Sequence, residues 1–290
     1  MPADIHPVCF SAPERFETMG QPLLLVGCGN MGFSLLQGWL AAGAAAPEDV
    51  YVVEPSEMLR DRACQLGVAA CSTVDELAPG LQPRLIVLAV KPQSIAEIAP
   101  AYARFAGTAA YVSIAAGVIT TSLEKMLGDI AILRAMPNTP TSLGKGSTVV
   151  FANSRTDGGT RERVVALLRA GGSVHFVDRE ELIDAATAIS GSGPAYVFLF
   201  IECLARRAAT LGLGEKLALD LARETVAGAA ALAMSDSSQH PAHLREKVTS
   251  PNGTTAAALE ILLADDALDH LLGHAVDAAR RRSASLSGEV

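Results

Sequence analysis

At 290 residues, with 19% charged side chains and a formal net charge of -8, the chain is long enough for two packed domains and has no basic footprint for nucleic acid or an anionic membrane. Its five cysteines, Cys9, Cys28, Cys64, Cys71 and Cys203, are odd in number, scattered and without a CxxC pair, which argues against a disulfide framework or a thiolate zinc site and fits a reducing cytoplasm. The longest apolar runs, LIVLAV at 85–90 and VAGAAALA at 226–233, fall short of a membrane span, so a soluble protein is expected.

Residues 1–20 mix prolines with both signs of charge and hold no sustained apolar run; they fit neither a secretory signal nor a transit peptide and read as a loose arm. The first strong signal is LLLVGCGNMG at 23–32, an apolar strand running into glycines spaced GxGxxG. In that arrangement Gly27 permits the tight turn, Gly29 lets backbone approach a pyrophosphate, and Gly32 lets the following helix pack on the strand with its amides facing the phosphates. A bare GxGxxG is equally a flexible turn, and its context decides. Met31, Leu35, Trp39 and Leu40 follow at helical spacing, Gly43 stands where that helix would stop, and a second strand, Val50 to Val53, ends in Glu54. A carboxylate there accepts hydrogen bonds from the adenosine ribose hydroxyls of a dinucleotide.

Further β-rich runs follow at Val68 to Ala70, Leu85 to Val90, Ala110 to Ile114, Ile130 to Ala135, Ser147 to Phe151 and Ser173 to Phe176, with helical stretches such as Ser56 to Leu66 and Thr160 to Arg169 between them. Near-continuously apolar strands alternating with helices predict an α/β fold, a Rossmann-type doubly wound and mainly parallel sheet covered on both faces. Ligands in such sheets collect beyond the carboxyl ends of the strands. Three exits therefore stand out: Ala89-Val90-Lys91-Pro92-Gln93, Ala115-Ala116-Gly117-Val118 and Met136-Pro137-Asn138-Thr139-Pro140. The small residues of the second allow close approach of a flat ring, and the prolines stiffen the other two. Lys91 suits a cofactor ribose, although a solvated surface lysine accounts for it almost as well.

After about Val177 the β-rich alternation ends and alanine dominates, predicting an all-α C-terminal domain over 179–290 after a dinucleotide-binding domain over 21–178. Its first long helix, Pro194 to about Leu211, carries Tyr196 to Ile201, apolar all round. Such a helix needs burial on every side, which a small helical domain cannot supply alone; a homodimer through these helices is the preferred explanation, an ordinary core helix the alternative. Residues 249–255, TSPNGTT, place Thr254 or Thr255 near a helix N-cap beside free backbone amides. With Ser250, Pro251 and Gly253 this suits a carboxylate, and a well-capped helix after a turn explains it equally. Ser190-Gly191-Ser192-Gly193-Pro194 either brings backbone near a ligand or simply starts the long helix.

Neither of these two stretches contains a titratable side chain. A carbonyl reductase wants a proton donor near the forming oxyanion, whereas a protonated imine already accepts hydride, so an imine substrate fits. His270 and His274, four apart near Asp265, Asp266 and Asp269, and the pair His240 and His243 offer a conceivable metal site, but without HExxH the solvated-face reading is preferred and no metal is expected. Arg280 to Arg282 likewise reads as solvated.

Taken together, GCGNMG at 27, AVKPQ at 89, AAGV at 115, MPNTP at 136, SGSGPAY at 190 and HPAHLREKVTSPNGTT at 240 resemble pyrroline-5-carboxylate reductases over nearly the whole chain after residue 21. The resemblance implies NAD(P)H-dependent reduction of 1-pyrroline-5-carboxylate to L-proline, the last step of proline biosynthesis, and a homodimer of interleaved helical domains that joins others in larger rings. It implies that Ser250 and Thr255, the candidate catalytic pair, hold the substrate carboxylate with the backbone of Gly253 and Thr254, and that Thr255 lies near the imine nitrogen. It implies a cofactor set of Gly27, Gly29, Asn30, Met31 and Gly32 in the turn, Glu54 and Ser56 after the second strand, and Ala89 and Val90. Gly117 belongs to the same cofactor set, and Lys91, Pro92, Ala116 and Asn138 would line the nicotinamide end. Three departures matter. Asn252 replaces a glycine of the usual SPGGTT, where it tolerates the left-handed conformation; Ser238 stands where relatives often carry glutamate; and Glu54 repels a 2′-phosphate, favouring NADH over NADPH, although Ser56 and Arg60 offer a phosphate two partners. The rivals are a two-domain hydroxyacid dehydrogenase or reductase of another cyclic imine, and a non-enzymatic dinucleotide-binding regulator.

Overall fold

The computed structural model describes residues 22–236 and 238–287; the arm expected over residues 1–20 lies outside them. The chain forms two compact units, one reaching Gly191 and taking the chain back from Arg280 onward, the other Ser192–Ala279.

The first unit is built on eight strands, β1 Leu23–Val26, β2 Val50–Val53, β3 Ala69–Cys71, β4 Leu85–Leu88, β5 Ala110–Ser113, β6 Ile132–Met136, β7 Gly146–Ala152 and β8 Gly172–Val177, in the order β3-β2-β1-β4-β5-β6-β7-β8. Every neighbouring pair is parallel except β6 and β7, where Met136 opposes Val149. Side chains alternate between faces, so β1 serves two cores at once. Leu23 and Leu25 join Leu35, Leu36 and Trp39 of helix α1 (Asn30–Ala41), Ala63 of α2 (Glu57–Cys64) and Val164, Leu167 and Leu168 of α5 (Gly158–Leu168). Leu24 and Val26 join the opposite core, with Ile95 of α3 (Ile95–Ile98), Tyr102, and Leu123 and Leu127 of α4 (Thr120–Leu127). Tyr111, one of three tyrosines in that core with Tyr51 and Tyr102, donates to the Tyr102 carbonyl at 2.7 Å, so its polar atom is satisfied where water is absent.

The sheet ends differently at its two edges. β3 is three residues long, and β8 alternates half-buried with exposed positions, its Phe176 ring lying 5.3 Å from the Arg161 guanidinium. Beyond β8 come α6 (Leu182–Ala186) and one turn of π-helix, Thr187–Gly191. The Thr187 and Ser190 hydroxyls there donate to the carbonyls of Ile183 and Ala186.

The second unit is helical: α7 Gly193–Thr210 packs along α8 Glu215–Ser235, and α9 Pro241–Lys247, α10 Thr254–Leu263 and the start of α11 Ala267–Ser287 follow, the part of α11 from Arg280 on belonging to the first unit. Asp265 and Asp266 take positive φ at the α10–α11 junction. On the chain alone Val197, Phe198, Leu199 and Phe200 of α7 and Leu217 and Leu221 of α8 are exposed. The expectation that no segment reaches membrane-spanning proportions needs correction: the continuous helical run Leu182–Thr210 is long and apolar enough by length and composition. Counting unbroken apolar stretches hid it, because Asp184 and Glu202 interrupt the run without making the helix polar on average.

Candidate functional site

The strand order reverses between β1 and β4, and this is where an open α/β sheet leaves a crevice at its carboxyl edge. β1 leads there into Gly27 at φ +89°, and a Cβ on that residue would lie 2.8 Å from Val90 Cγ1 and 2.9 Å from the Ala89 carbonyl. Gly32 is equally confined, its missing Cβ pointing at the Gly27 carbonyl. Gly29 meets nothing within 4 Å. Two glycines thus let chain segments touch, and the third leaves open space beside the first turn of α1, which Gly29 caps through its backbone only. Asn30 and Met31 begin that helix, and no acidic residue lies in its first turn. Uncapped amides, an open approach and a first helical turn without an acid are what a pyrophosphate needs, so the residues present fit a dinucleotide.

Glu54 is buried at 7% exposure and bends back onto the turn. One carboxylate oxygen accepts from the Cys28 amide at 2.7 Å and the other from the Ser56 amide at 3.0 Å. Each oxygen retains a further lone pair. Arg60 donates to the backbone carbonyls of Glu54 and Pro55, and the Arg62 guanidinium lies 3.5 Å from the centre of the Phe33 ring. Burial pushes the Cys28 thiol up to about 11, against a smaller opposing pull from Arg62; Cys28 is therefore packing, not nucleophile.

Of the three strand exits, the first abuts the glycine turn through Ala89 and Val90, with Lys91 exposed at the entrance to a short turn of 3₁₀-helix opened by Pro92. The second differs from expectation. Gly117 does take positive φ, +77°, but the space over its missing Cβ is filled by Leu286 of α11, at 2.7 Å; Ala116 remains half-buried beside it. In the third, both ends of the Asn138 amide are engaged: its oxygen accepts from the Ser147 amide at 2.9 Å and its nitrogen donates to the Ser190 carbonyl at 3.0 Å, which leaves one N–H and one lone pair over. Asn138 thus fastens the π-turn and β7 to the end of β6.

In the helical unit the TSPNGTT stretch forms a tight turn. Ser250 accepts from the Gly253 amide at 3.0 Å, and Asn252 at φ +57° occupies the left-handed position after Pro251, as its residue type allows. Helix α10 then begins at Thr254, so the N-cap is Gly253, neither of the two threonines. Gly253 is closely confined there: a Cβ on it would lie 2.4 Å from Ser250 Oγ, so a larger residue would have to displace Ser250. No side chain caps the helix, which leaves the amides of Thr254 and Thr255 without helical acceptors. Ser250 and Thr254 are exposed and Thr255 half-buried.

Ser238, at the position of interest before α9, donates with both its amide and its hydroxyl to Asp236 Oδ1, while Gln239 donates to Oδ2 and accepts from Lys247. These bonds hold the Asp236 carboxyl below the usual carboxylate range. His240 caps α9 by accepting the Ala242 amide on Nδ1. Among the described residues, no three His, Cys, Asp or Glu side chains gather as a metal set.

One constellation escaped the sequence reading. Arg134, 2% exposed in the middle of β6, lies 3.2 Å from Asp184 and 3.5 Å from Glu180; Asp184 also accepts from Ser283, and Glu180 accepts both the amide and the hydroxyl of Thr120. The signal was present: a lone arginine in the strand ILRAM implies buried counter-charges.

Comparison with known proteins agrees over both units. Residues 180–286 match the family model for pyrroline-5-carboxylate reductase dimerisation, and residues 23–117 match that for NADP oxidoreductase, coenzyme F420-dependent. The chain is 38% identical over 271 residues to a pyrroline-5-carboxylate reductase of Pseudomonas aeruginosa, covering 92% of this chain and 97% of that one. The structure of a pyrroline-5-carboxylate reductase from Coxiella burnetii superposes with a TM-score of 0.86 at 36% identity, covering 92% and 98%. A Plasmodium falciparum pyrroline carboxylate reductase with NADP bound gives 0.81 at 29% identity over 92% and 100%. With this identity spread over nearly the full length of both units, the chain belongs to the pyrroline-5-carboxylate reductase family.

Proposed function

We propose that the chain reduces 1-pyrroline-5-carboxylate to L-proline with NAD(P)H, in the cytoplasm, as a homodimer built from the helical units and assembled into a ring of dimers. The observation that carries the reaction is the uncapped start of α10: a helix N-terminus with free amides, flanked by hydroxyls and by no acid or base. Such a site holds a carboxylate and offers no proton. The amides of Thr254 and Thr255 and the Ser250 hydroxyl bind the substrate carboxylate, and Gly253 leaves the room it needs. Thr255 orients the ring nitrogen. The dinucleotide, when bound, supplies the hydride. A protonated imine takes it at carbon and becomes the amine directly, so these residues work by positioning.

On the cofactor side, Gly27, Gly29, Asn30, Met31 and Gly32 cradle the pyrophosphate, Glu54 and Ser56 face the adenosine ribose, and Ala89, Val90, Lys91, Pro92, Ala116, Gly117 and Asn138 shape or brace the nicotinamide end. Glu54 keeps a negative charge where NADPH would carry its 2′-phosphate, and we infer a preference for NADH. The apolar face of α7 is covered by a second copy, not by lipid, in keeping with the dimerisation match across it.

The test is cofactor oxidation with 1-pyrroline-5-carboxylate. Thr255→Ala lowers kcat/KM for the imine about 10- to 100-fold, the loss of one hydrogen bond to a charged group, with KM for the cofactor unchanged. Glu54→Ala shifts the preference towards NADPH. Absence of turnover by the wild type with either cofactor sinks the reaction; NADPH used as well as NADH sinks only the preference.

A further inference from the structure

The last turn of α11 closes a ring of contacts around the Ala115–Val118 loop, entirely within the first unit. Leu286 lies against Gly117 so closely that a Cβ on the glycine would meet Leu286 Cβ at 2.7 Å and its carbonyl carbon at 2.9 Å. Ser283, three residues earlier and so on the same helix face, is buried at 5% exposure and donates to Asp184 at 2.8 Å. Asp184 pairs with Arg134, and Arg134 with Glu180. Glu180 accepts the Thr120 amide at 2.8 Å and its hydroxyl at 2.6 Å. Thr120 opens α4, two residues beyond Val118. The loop is therefore gripped at Gly117 by the C-terminal helix and just past its end by a carboxylate tied back to that same helix.

We propose that Ser283 and Leu286 are positioning residues for the nicotinamide half of the cofactor, acting through this loop. The inference rests on the reading that Ala116 and Gly117 lie at the nicotinamide end. A loop exit rich in small residues has little side-chain packing of its own, and here its packing comes from the end of the chain. Arg134 carries the link because a buried guanidinium satisfies two carboxylates at once, each of which holds one of the two grips.

The experiment separates the two halves of the cofactor by direct binding titration with NADH and with ADP-ribose, which lacks the nicotinamide ring. Because the grip on Gly117 is made by the Cβ and carbonyl of Leu286, it is removed by deleting residues 286–290, which weakens NADH about tenfold, and Ser283→Ala weakens it about fivefold, while ADP-ribose affinity stays within about twofold for both; a chain ending at Leu286 keeps NADH binding. Equal losses for both ligands, or no loss for either, overturn the proposal, since damage to the unit as a whole moves both and an idle contact moves neither. Should the chain shortened by residues 286–290 fail to fold, Ser283→Ala decides by the same ratio. A wild type that binds both ligands but does not reduce the imine sinks the proposed reaction and leaves this inference standing. One that binds neither sinks the dinucleotide reading and this inference with it.

Discussion

In β1 all four residues from Leu23 to Val26 are buried, whereas in α7 the four consecutive residues Val197 to Phe200 are exposed on the chain taken alone, Phe198 at 64%. Both segments are apolar, and composition does not tell them apart. What differs is closure. The sheet is covered on each face by helices of the same unit, so the apolar residues of its central strands are buried within the chain. The helices of the second unit have one another, and apolar surface remains. A unit that closes on itself gains stability independent of concentration; one that does not gains its last burial from a second copy.

That contrast breaks or sharpens under substitution. The largest effect is expected for the double variant Phe198→Glu and Phe200→Glu, which puts two charges into the face assigned to the dimer and weakens association by about a thousandfold or more; analytical ultracentrifugation then reports a monomer whose strand content by circular dichroism is intact. A variant that stays dimeric removes α7 from the interface. Next in size, Leu25→Ala leaves a cavity in the sheet core and costs about 2–5 kcal/mol, lowering Tm equally at all protein concentrations. Leu199→Ala, by contrast, makes Tm fall most at low concentration. If the two respond alike to dilution, the contrast between the units is wrong.

The smallest effect concerns pH. Cys28 and Cys71 have their thiols pushed up to about 11 by burial, and the buried phenols of Tyr102 and Tyr111 are raised by the same cause. These groups are neutral in the folded unit and ionise more readily once unfolded. The stability they lend is complete below their ordinary values; that of the thiols is lost as pH rises from about 9 towards 11, and that of the phenols begins to be lost above 10. Urea midpoints should fall through that window, and more shallowly in Cys28→Ala; an unchanged slope would show that this thiol does not feel the core.

The strand-turn-helix that begins at Leu23 was legible because it depends on neighbours in sequence: apolar run, glycine spacing and an acid after the next strand. The buried sheet was legible for the same reason. The start of α10 beside Thr254 was legible too, and the structure adds that Gly253 is the residue in the cap position. The bracing role of Asn138, whose amide joins Ser147 and Ser190, was not legible, because both partners lie far from it in sequence and neither is marked by a local pattern. The Arg134 cluster joins residues 50 and 99 positions apart through Asp184, separations at which no local pattern survives.

The two sheet edges carry a last consequence, for how far the protein can polymerise. A newcomer strand docking on β3 would find only three residues to pair with, and one approaching β8 would meet an aromatic ring shielded by Arg161 and the exposed polar side chains of Ser173 and His175. Both flanks are poor templates for edge-to-edge growth. Crowded solutions of this protein should accordingly yield closed assemblies of finite size through the helices and resist fibre formation, because the open-ended route through the sheet is blunted at both ends.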